Sequence, residues 1–128
     1  MSGSSGAELL RATLKSPQVM TGTETARIVL TTVDGAEEAQ LIAEALVERR
    51  LAACVNLIPH LTSIYRWQDK IETASEILLV IKTTIDQVPV LESALHELHS
   101  YEVPEFLVLP IESGSRSYLE WLQKSVTA

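Results

Sequence analysis

The chain has 128 residues, 46% of them hydrophobic, which favours a single globular domain with a real core. Its 10 basic and 17 acidic residues give a formal net charge of −7, so the basic surface that binds nucleic-acid phosphates is missing. The single cysteine excludes an internal disulfide, and no apolar run reaches the ~20 residues of a membrane span. With no leader peptide apparent, we expect a cytoplasmic protein that partners neither nucleic acid nor membrane.

Residues 1–25 are expected to lie outside the folded domain. The opening MSGSSG resembles a sequence left by expression cloning. The following stretch contains Pro17, Gly22 and several threonines, a composition typical of a mobile arm. The domain itself is therefore predicted to span residues 26–128.

A strand and a helix are predicted at the start of the domain. Residues 26–33 form a β-branched run that favours a buried strand. Asp34 followed by Glu37 predicts a capping box at the start of a helix. Helical spacing predicts that this helix buries Leu41, Ile42, Ala45 and Leu46.

A long hairpin is predicted next. Residues 51–67 are rich in β-formers and are interrupted at Pro59, which favours one long strand with a bend. Gln68-Asp69 predicts a tight turn into a second long strand that runs through Lys82. Residues 77–81 are continuously apolar, which predicts a central strand covered on both faces.

The rest of the chain predicts a helix, a strand and a final helix. The first helix starts at Thr84 or Asp86, with Pro89 in its first turn. A strand follows at residues 105–111, and then a helix that groups Tyr118, Leu119, Trp121 and Leu122. The order βαββαβ plus a C-terminal helix predicts an α+β, ferredoxin-like sandwich with both helices on one face of an antiparallel sheet. The uncovered sheet face would favour oligomerisation.

Several segments resemble the CutA family, named for divalent-cation tolerance. They are ERRLAACVNLIP (48–59), TSIYRW (62–67), KIE (70–72), EILLVIKTT (76–84), LHSYEVPE (98–105) and YLEWL (118–122). The resemblance implies a ferredoxin-like protomer in a homotrimer whose long hairpins wrap neighbouring subunits. It also implies a link to copper and other divalent metals, without an established catalytic activity. Some members carry a cysteine at Thr31 and a His-His pair at Leu98-His99, so only His99 is kept of those positions.

His99, Cys54 and Glu102 are the candidate metal ligands. One thiolate and one imidazole per chain fall short of the ligand number of a tight site, so we expect weak binding, with copper bound best. A trimer could bring ligands of two chains together. The alternative roles are structural: Cys54 as a small buried hydrophobe, and His99 as a cap of the preceding helix.

The remaining candidates are assigned to a pocket or a subunit interface. Trp67 lies at the hairpin tip, where a large aromatic residue is expected to contact a partner surface. Lys70, Glu72, Glu76 and Lys82 share one sheet face, where a solvated or subunit-spanning ion-pair ladder is expected. The full set is Asn56, Tyr65, Trp67, Lys70, Glu72, Lys82, Tyr101 and Pro104.

No nucleophile–base pair, glycine-rich phosphate loop or metal-binding motif of an enzyme is recognisable, so we expect a protein without catalytic activity. One alternative is a nucleotide- or metabolite-sensing regulator of the PII kind, although the connection at Gln68-Asp69 is short for a switch loop. A second is a stable structural scaffold without a specific metal site. A third is an unrecognised hydrolase or isomerase that uses His99 and Glu102.

Overall fold

The structure is a computed structural model that describes residues 22–126. The expectations for residues 1–21 and 127–128 lie outside this range. Residues 22–25, which the sequence assigned to the arm, form a turn in which the Ala26 N–H donates to the Gly22 carbonyl at 2.8 Å. Gly22 has a φ of 95°, and a Cβ there would lie 2.9 Å from the Cβ of Leu119. Both the backbone conformation and the packing therefore favour glycine at this position.

Within residues 22–126 the chain forms four antiparallel strands and three helices, and their order confirms the βαββαβ arrangement with a C-terminal helix. Along the sheet the strands are ordered β2-β3-β1-β4. A short 3₁₀ turn, Ile85–Gln87, precedes the second helix. The elements are β1 (Ala26–Val33), α1 (Ala36–Glu48), β2 (Cys54–Trp67), β3 (Lys70–Thr84), α2 (Val88–Leu98), β4 (Leu107–Pro110) and α3 (Arg116–Val126).

The predicted capping box at the start of α1 is wrong. Gly35 is the N-cap residue, and no side chain caps the helix. Shifting the cap by one residue puts Glu38, not Glu37, at the third helical position, and the Glu38 carboxylate accepts hydrogen bonds from Ser100 instead. Leu41 was predicted to be buried but is 63% exposed.

The C-terminal cap of α1 extends to Leu51, so the second strand begins at Cys54 and not at residue 51. Arg50 has a φ of 59°, and its N–H donates to the Val47 carbonyl. The Leu51 N–H donates to the Leu46 carbonyl, which completes a Schellman motif. Leu46 and Leu51 are both buried in the core, as the hydrophobic contact of this motif requires.

The main core lies between one face of the sheet and the two helices α1 and α2. Its buried residues are Val29, Val33, Ala39, Ile42, Leu46, Leu51, Ala52, Ile77, Leu79, Ile81, Leu91, Ala94 and Leu95. On the opposite face, α3 packs over one end of the sheet, with Leu119 and Leu122 against Ala26. Leu78 and Val80 on this face are only half-buried, so β3 is not fully covered on both faces as predicted. Within residues 22–126 no helix is long and apolar enough to cross a membrane.

The hairpin extends well beyond the helices. Strand β3 pairs with β1 only from Ile77 onward, whereas residues 70–76 pair with β2 alone. We call this two-stranded part, residues 61–76, the outer ribbon. Its turn residues Gln68 and Asp69 have φ values of 51° and 66°, the geometry of a type I′ turn, which confirms the predicted tight turn.

Candidate functional site

A β-bulge sets the direction of the aromatic side chains on the outer ribbon. The register shifts between Ile58, which pairs with Leu78, and Leu61, which pairs with Glu76. The extra residue lies at Pro59-His60, where His60 has a φ of 61°, so the predicted interruption at Pro59 is confirmed. Because side chains alternate along a strand, this insertion moves the odd-numbered residues of β2 to the face that Glu76 occupies.

The outer ribbon forms one wall of a cleft of about 620 Å³. The loop that follows α2 forms another wall, and the end of β1 closes the cleft. The cleft is lined by Thr32, Asp34, Ser63, Tyr65, Trp67, Ala74, Glu76, Tyr101, Glu102, Val103 and Glu105. Four of these residues carry carboxylates and three carry aromatic rings with a hydroxyl or an indole N–H, whereas none is basic. The cleft therefore combines negative charge with aromatic surface.

Glu76 is the most buried of the cleft carboxylates, with 8% exposure. The Tyr101 hydroxyl donates to Oε2 of Glu76 at 2.7 Å. Burial raises the pKa of the Tyr101 phenol, and the hydrogen bond to Glu76 and the negative charge of its carboxylate raise this pKa further. Tyr101 therefore stays a neutral donor throughout the physiological pH range.

His99 holds the loop of the cleft against the sheet. Its Nε2 lies 2.7 Å from the carbonyl oxygen of Thr32, and its Nδ1 lies 3.1 Å from the backbone nitrogen of Tyr101. The Tyr101 N–H can only donate, so Nδ1 accepts and Nε2 carries the proton that is donated to Thr32. Because Nδ1 accepts this hydrogen bond, the 3.7 Å between Nδ1 and Oε2 of Glu38 is a close approach and not a charged pair. Both ring nitrogens of His99 are thus used within the protomer.

The three predicted metal ligands do not come together in one protomer. Cys54 pairs with Lys82 at one end of β3, six residues from Glu76, which is about 20 Å along a strand. Cys54 is a partly buried free thiol near Tyr118. Glu102 is exposed on the cleft, and His99 is buried behind it. Among residues 22–126, no group of three or more histidine, cysteine or acidic side chains is arranged to hold a metal ion.

Of the residues predicted for a pocket or interface, three line the cleft: Tyr65, Trp67 and Tyr101. Lys82 lies elsewhere on the sheet and donates to Oδ1 of Asn56, and Pro104 is buried within the loop. Lys70 and Glu72 are exposed and, in the described part of the chain, make no ion pair. Within one protomer these side chains are therefore solvated, and a subunit-spanning ladder on β3 stays a prediction.

Sequence reasoning missed Asp34 and Glu105 as cleft residues, and it read Glu76 only as part of a ladder. Glu76 carried a usable signal, because a carboxylate directly before the apolar run 77–81 starts at the edge of a buried strand. Asp34 and Glu105 carried no such signal, because they line the same cleft only through the way the loop after α2 crosses the end of β1.

Comparison with known proteins assigns the chain to a family. The profile of the CutA1 family, described as CutA1 divalent ion tolerance protein, matches residues 27–125, so the chain belongs to this family. The divalent-cation tolerance protein CutA of Thermus thermophilus is 52% identical over 98 residues, which are 77% of this chain and 95% of that protein. Protein CutA of Homo sapiens is 52% identical over 86 residues, 67% of this chain and 48% of that protein. The chain thus spans about half the length of its human relative.

A solved structure supports the same assignment. The divalent cation tolerance protein of Thermus thermophilus superposes on this chain with a TM-score of 0.77 at 51% sequence identity. The superposition covers 78% of this chain and 97% of that one. The mixed fold with one antiparallel sheet is therefore shared with a solved member of the family.

Proposed function

We propose that the protein is a homotrimeric, cytosolic member of the divalent-cation tolerance family that binds divalent metal weakly and without catalysis. The observation that carries this proposal is the acidic cleft, whose lining includes Asp34, Glu76, Glu102 and Glu105 and no basic side chain. Such a cleft concentrates cations, since field lines focus where charges of one sign share low-dielectric walls.

The trimer is supported by surfaces that one chain leaves uncovered. The strand order β2-β3-β1-β4, with α1 and α2 on one face, fits a ferredoxin-like protomer whose other face is partly bare. On that face Leu107 and Leu109 are 53% and 43% exposed. A two-stranded ribbon such as residues 61–76 is also marginal on its own in water. Packing between copies would bury both surfaces.

The metal fit within one protomer is incomplete, which is why we propose weak binding. His99 would have to break a hydrogen bond to the Thr32 carbonyl or to the Tyr101 N–H before it could ligate a metal. Glu102 and Glu105 are exposed on the cleft and free to accept a cation. We therefore assign the main role to these two carboxylates, with Cys54 remote from them.

The test is a calorimetric titration of the purified protein with copper and zinc, run beside light scattering. We expect a mass near three times 14.1 kDa and tighter binding of copper than of zinc. The double variant Glu102→Gln/Glu105→Gln should bind copper at least about tenfold more weakly, whereas Cys54→Ser should bind as wild type does. The matched control Glu92→Gln/Glu97→Gln removes two exposed carboxylates of α2 and should change little.

Two outcomes would redirect the proposal. Equal copper affinity in wild type and the Glu102/Glu105 variant would place the metal elsewhere and favour the structural scaffold. Saturable binding of ATP in the same series would favour the PII-like regulator. The structure gives that regulator little support, because Gln68 and Asp69 alone connect β2 to β3 and leave no long loop to move.

A further inference from the structure

We propose that residues 7–15 of the chain dock into a groove between α1 and the start of β2, with their leucines on its apolar floor and their cations on its acidic rim. This inference goes beyond the divalent-metal function and does not depend on it. The CutA1 family match begins at residue 27, so the docking segment lies outside the part of the chain that defines the family.

The groove combines an apolar floor with an acidic rim, and its volume is about 680 Å³. The apolar residues that line it are Ala43, Val47, Val55 and Leu57. Val47 and Leu57 are 43% and 37% exposed, so residues 22–126 leave much of the floor uncovered. Glu44 and Glu48 lie on the rim, and neither forms an ion pair within residues 22–126. An occupant with apolar and basic side chains would therefore find a partner for each.

The groove lies apart from the surfaces that the proposed trimer would bury. Leu57 pairs with Leu79, which is fully buried under the helices, so Leu57 faces the helical side of the sheet. Val55, two residues earlier on the same strand, faces the same side. The bare face that includes Leu107 is the opposite one, and the outer ribbon starts only at residue 61. Copies that meet through those two surfaces leave the groove open.

The sequence of residues 7–15, AELLRATLK, has the features that this groove calls for. Leu10 and Leu14 are four residues apart, a spacing that places both on one side of a helix. Arg11 and Lys15 each follow one of these leucines, so in a helix a basic stripe runs beside the apolar stripe. The segment thus offers leucines and cations along two neighbouring lines.

The spacing of the charges matches as well. Glu44 and Glu48 are four residues apart on α1, which places their Cβ atoms about 6 Å from each other along the rim. The two cations of the segment have the same separation and the opposite sign. When the segment lies along α1, each cation therefore faces one carboxylate, and complementary charges of this kind fix the register of a contact.

The length of chain before Gly22 allows this contact within one protomer. Gly22 packs against Leu119 of α3. The same helix contacts the end of α1, because Nη1 of Arg50 donates to the Ser125 carbonyl at 3.5 Å. Adjacent layers of a fold lie about 10 Å apart, so the path from α3 around the end of the sheet to α1 is about 20 Å. Residues 16–21 span up to about 20 Å when extended, which is enough to cover this path.

The experiment is disulfide trapping in the full-length protein, in a Cys54→Ser background that removes the natural thiol. Leu10→Cys and Val47→Cys place one thiol on the segment and one in the groove, and diamide takes up the two thiol hydrogens when the disulfide forms. Non-reducing electrophoresis and mass spectrometry show whether the bond lies within one chain. We expect this in-chain bond to form at least about tenfold faster than in the control pair Leu10→Cys/Val90→Cys. Val90 is 54% exposed but lies on α2, outside the groove.

Charge reversal tests the rim in the same trapping assay. Arg11→Glu/Lys15→Glu should slow the in-chain disulfide at least about fivefold, because the segment then repels the carboxylates of the groove. Adding Glu44→Lys/Glu48→Lys reverses the rim as well and should restore the rate to within about twofold of the original pair. A rate that is not restored overturns the proposal.

The matched control for this rescue is Glu92→Lys/Glu97→Lys, which reverses two exposed carboxylates of α2 outside the groove and should not restore the rate. Equal rescue by both lysine pairs would show general charge attraction. Equal trapping rates at Val47 and Val90 would show that the tethered segment meets the surface at random. Disulfides that join two chains would show that the groove takes the segment of another copy. Each of these three results overturns the proposal, and none of them bears on metal binding.

Discussion

The two halves of β3 have the same backbone pairing with β2 but opposite surroundings. In the inner half, from Ile77 to Thr84, the strand lies between β2 and β1, and Leu79 and Ile81 are fully buried under the helices. In the outer ribbon it has one neighbouring strand, and Ile71 is 62% exposed. The inner half therefore supplies stability to the protomer, while the outer ribbon offers surface for contacts with other molecules.

Replacing one large apolar residue in each half should give the largest contrast. Leu79→Ala leaves a cavity in the main core and should lower the free energy of unfolding by about 2–5 kcal/mol. Ile71→Ala removes a side chain that is mostly in water and should cost less than about 1 kcal/mol in the protomer. Urea unfolding of both variants at a concentration that keeps the chain monomeric measures the two losses. Comparable losses would mean that the ribbon belongs to the protomer core.

Trp67→Ala tests whether the outer ribbon contacts a second copy. Trp67 is half-exposed at the end of the ribbon, and truncation of an aromatic anchor of an interface costs at least about 2 kcal/mol of association energy. We expect the variant to dissociate at higher concentration than wild type, with unchanged far-UV circular dichroism. Light scattering over a dilution series gives the comparison, and Glu92→Gln serves as the surface control. A mass that matches wild type at every dilution would remove Trp67 from the interface.

Tyr101→Phe tests the junction between the two halves, where Glu76 is buried. Loss of the hydroxyl leaves that carboxylate without its donor and should cost about 1–3 kcal/mol. The pKa of Tyr101 is raised on folding, so its contribution to stability is complete below about pH 10 and is lost as the pH rises through the folded-state pKa. Wild type should therefore lose stability above about pH 10 more steeply than Tyr101→Phe.

Burial likewise raises the pKa of Tyr118, with a further contribution from the charge of Cys54, so Tyr118→Phe is the matched control for the alkaline range. Each of the two variants should remove part of the stability that wild type loses at alkaline pH. An alkaline unfolding profile of Tyr101→Phe that superposes on wild type would show that the Tyr101–Glu76 bond contributes nothing to it.

The smallest effect is expected at the ribbon turn. Asp69 has a φ of 66°, which glycine adopts without the strain of a side chain. Asp69→Gly should therefore stabilise the protein by about 0.5–1 kcal/mol, read as a higher midpoint of thermal unfolding. Gly35→Ala is the control: it makes a glycine exchange at an ordinary backbone conformation and should not raise the midpoint of thermal unfolding by the same amount. A lower midpoint for Asp69→Gly would show that the Asp69 side chain itself holds the turn.

The elements of the fold could be predicted because each carries a local signal. The apolar run at 77–81 marks the inner half of β3, and Pro59 marks the bulge. Helix α1 was misread at its start because Asp34 and Gly35 are both acceptable caps, and the choice depends on Glu38 meeting Ser100 far along the chain. The cleft could not be predicted from the sequence for the same reason, because it depends on contacts between distant segments. Its residues come from three strands and the loop after α2, and His99 resembles a metal ligand until its two backbone partners are known.

The two-residue turn between β2 and β3 has a consequence for how the chain folds. A hairpin closed by Gln68-Asp69 needs little loop entropy and can form in about 1–10 μs. Pairing of β1 with β4 joins Arg27 to Pro110, and this contact must wait until most of the chain has been ordered. We therefore expect the hairpin to act as the early template and the β1–β4 edge to close last, so that substitutions at Leu107 accelerate unfolding and leave the folding rate nearly unchanged.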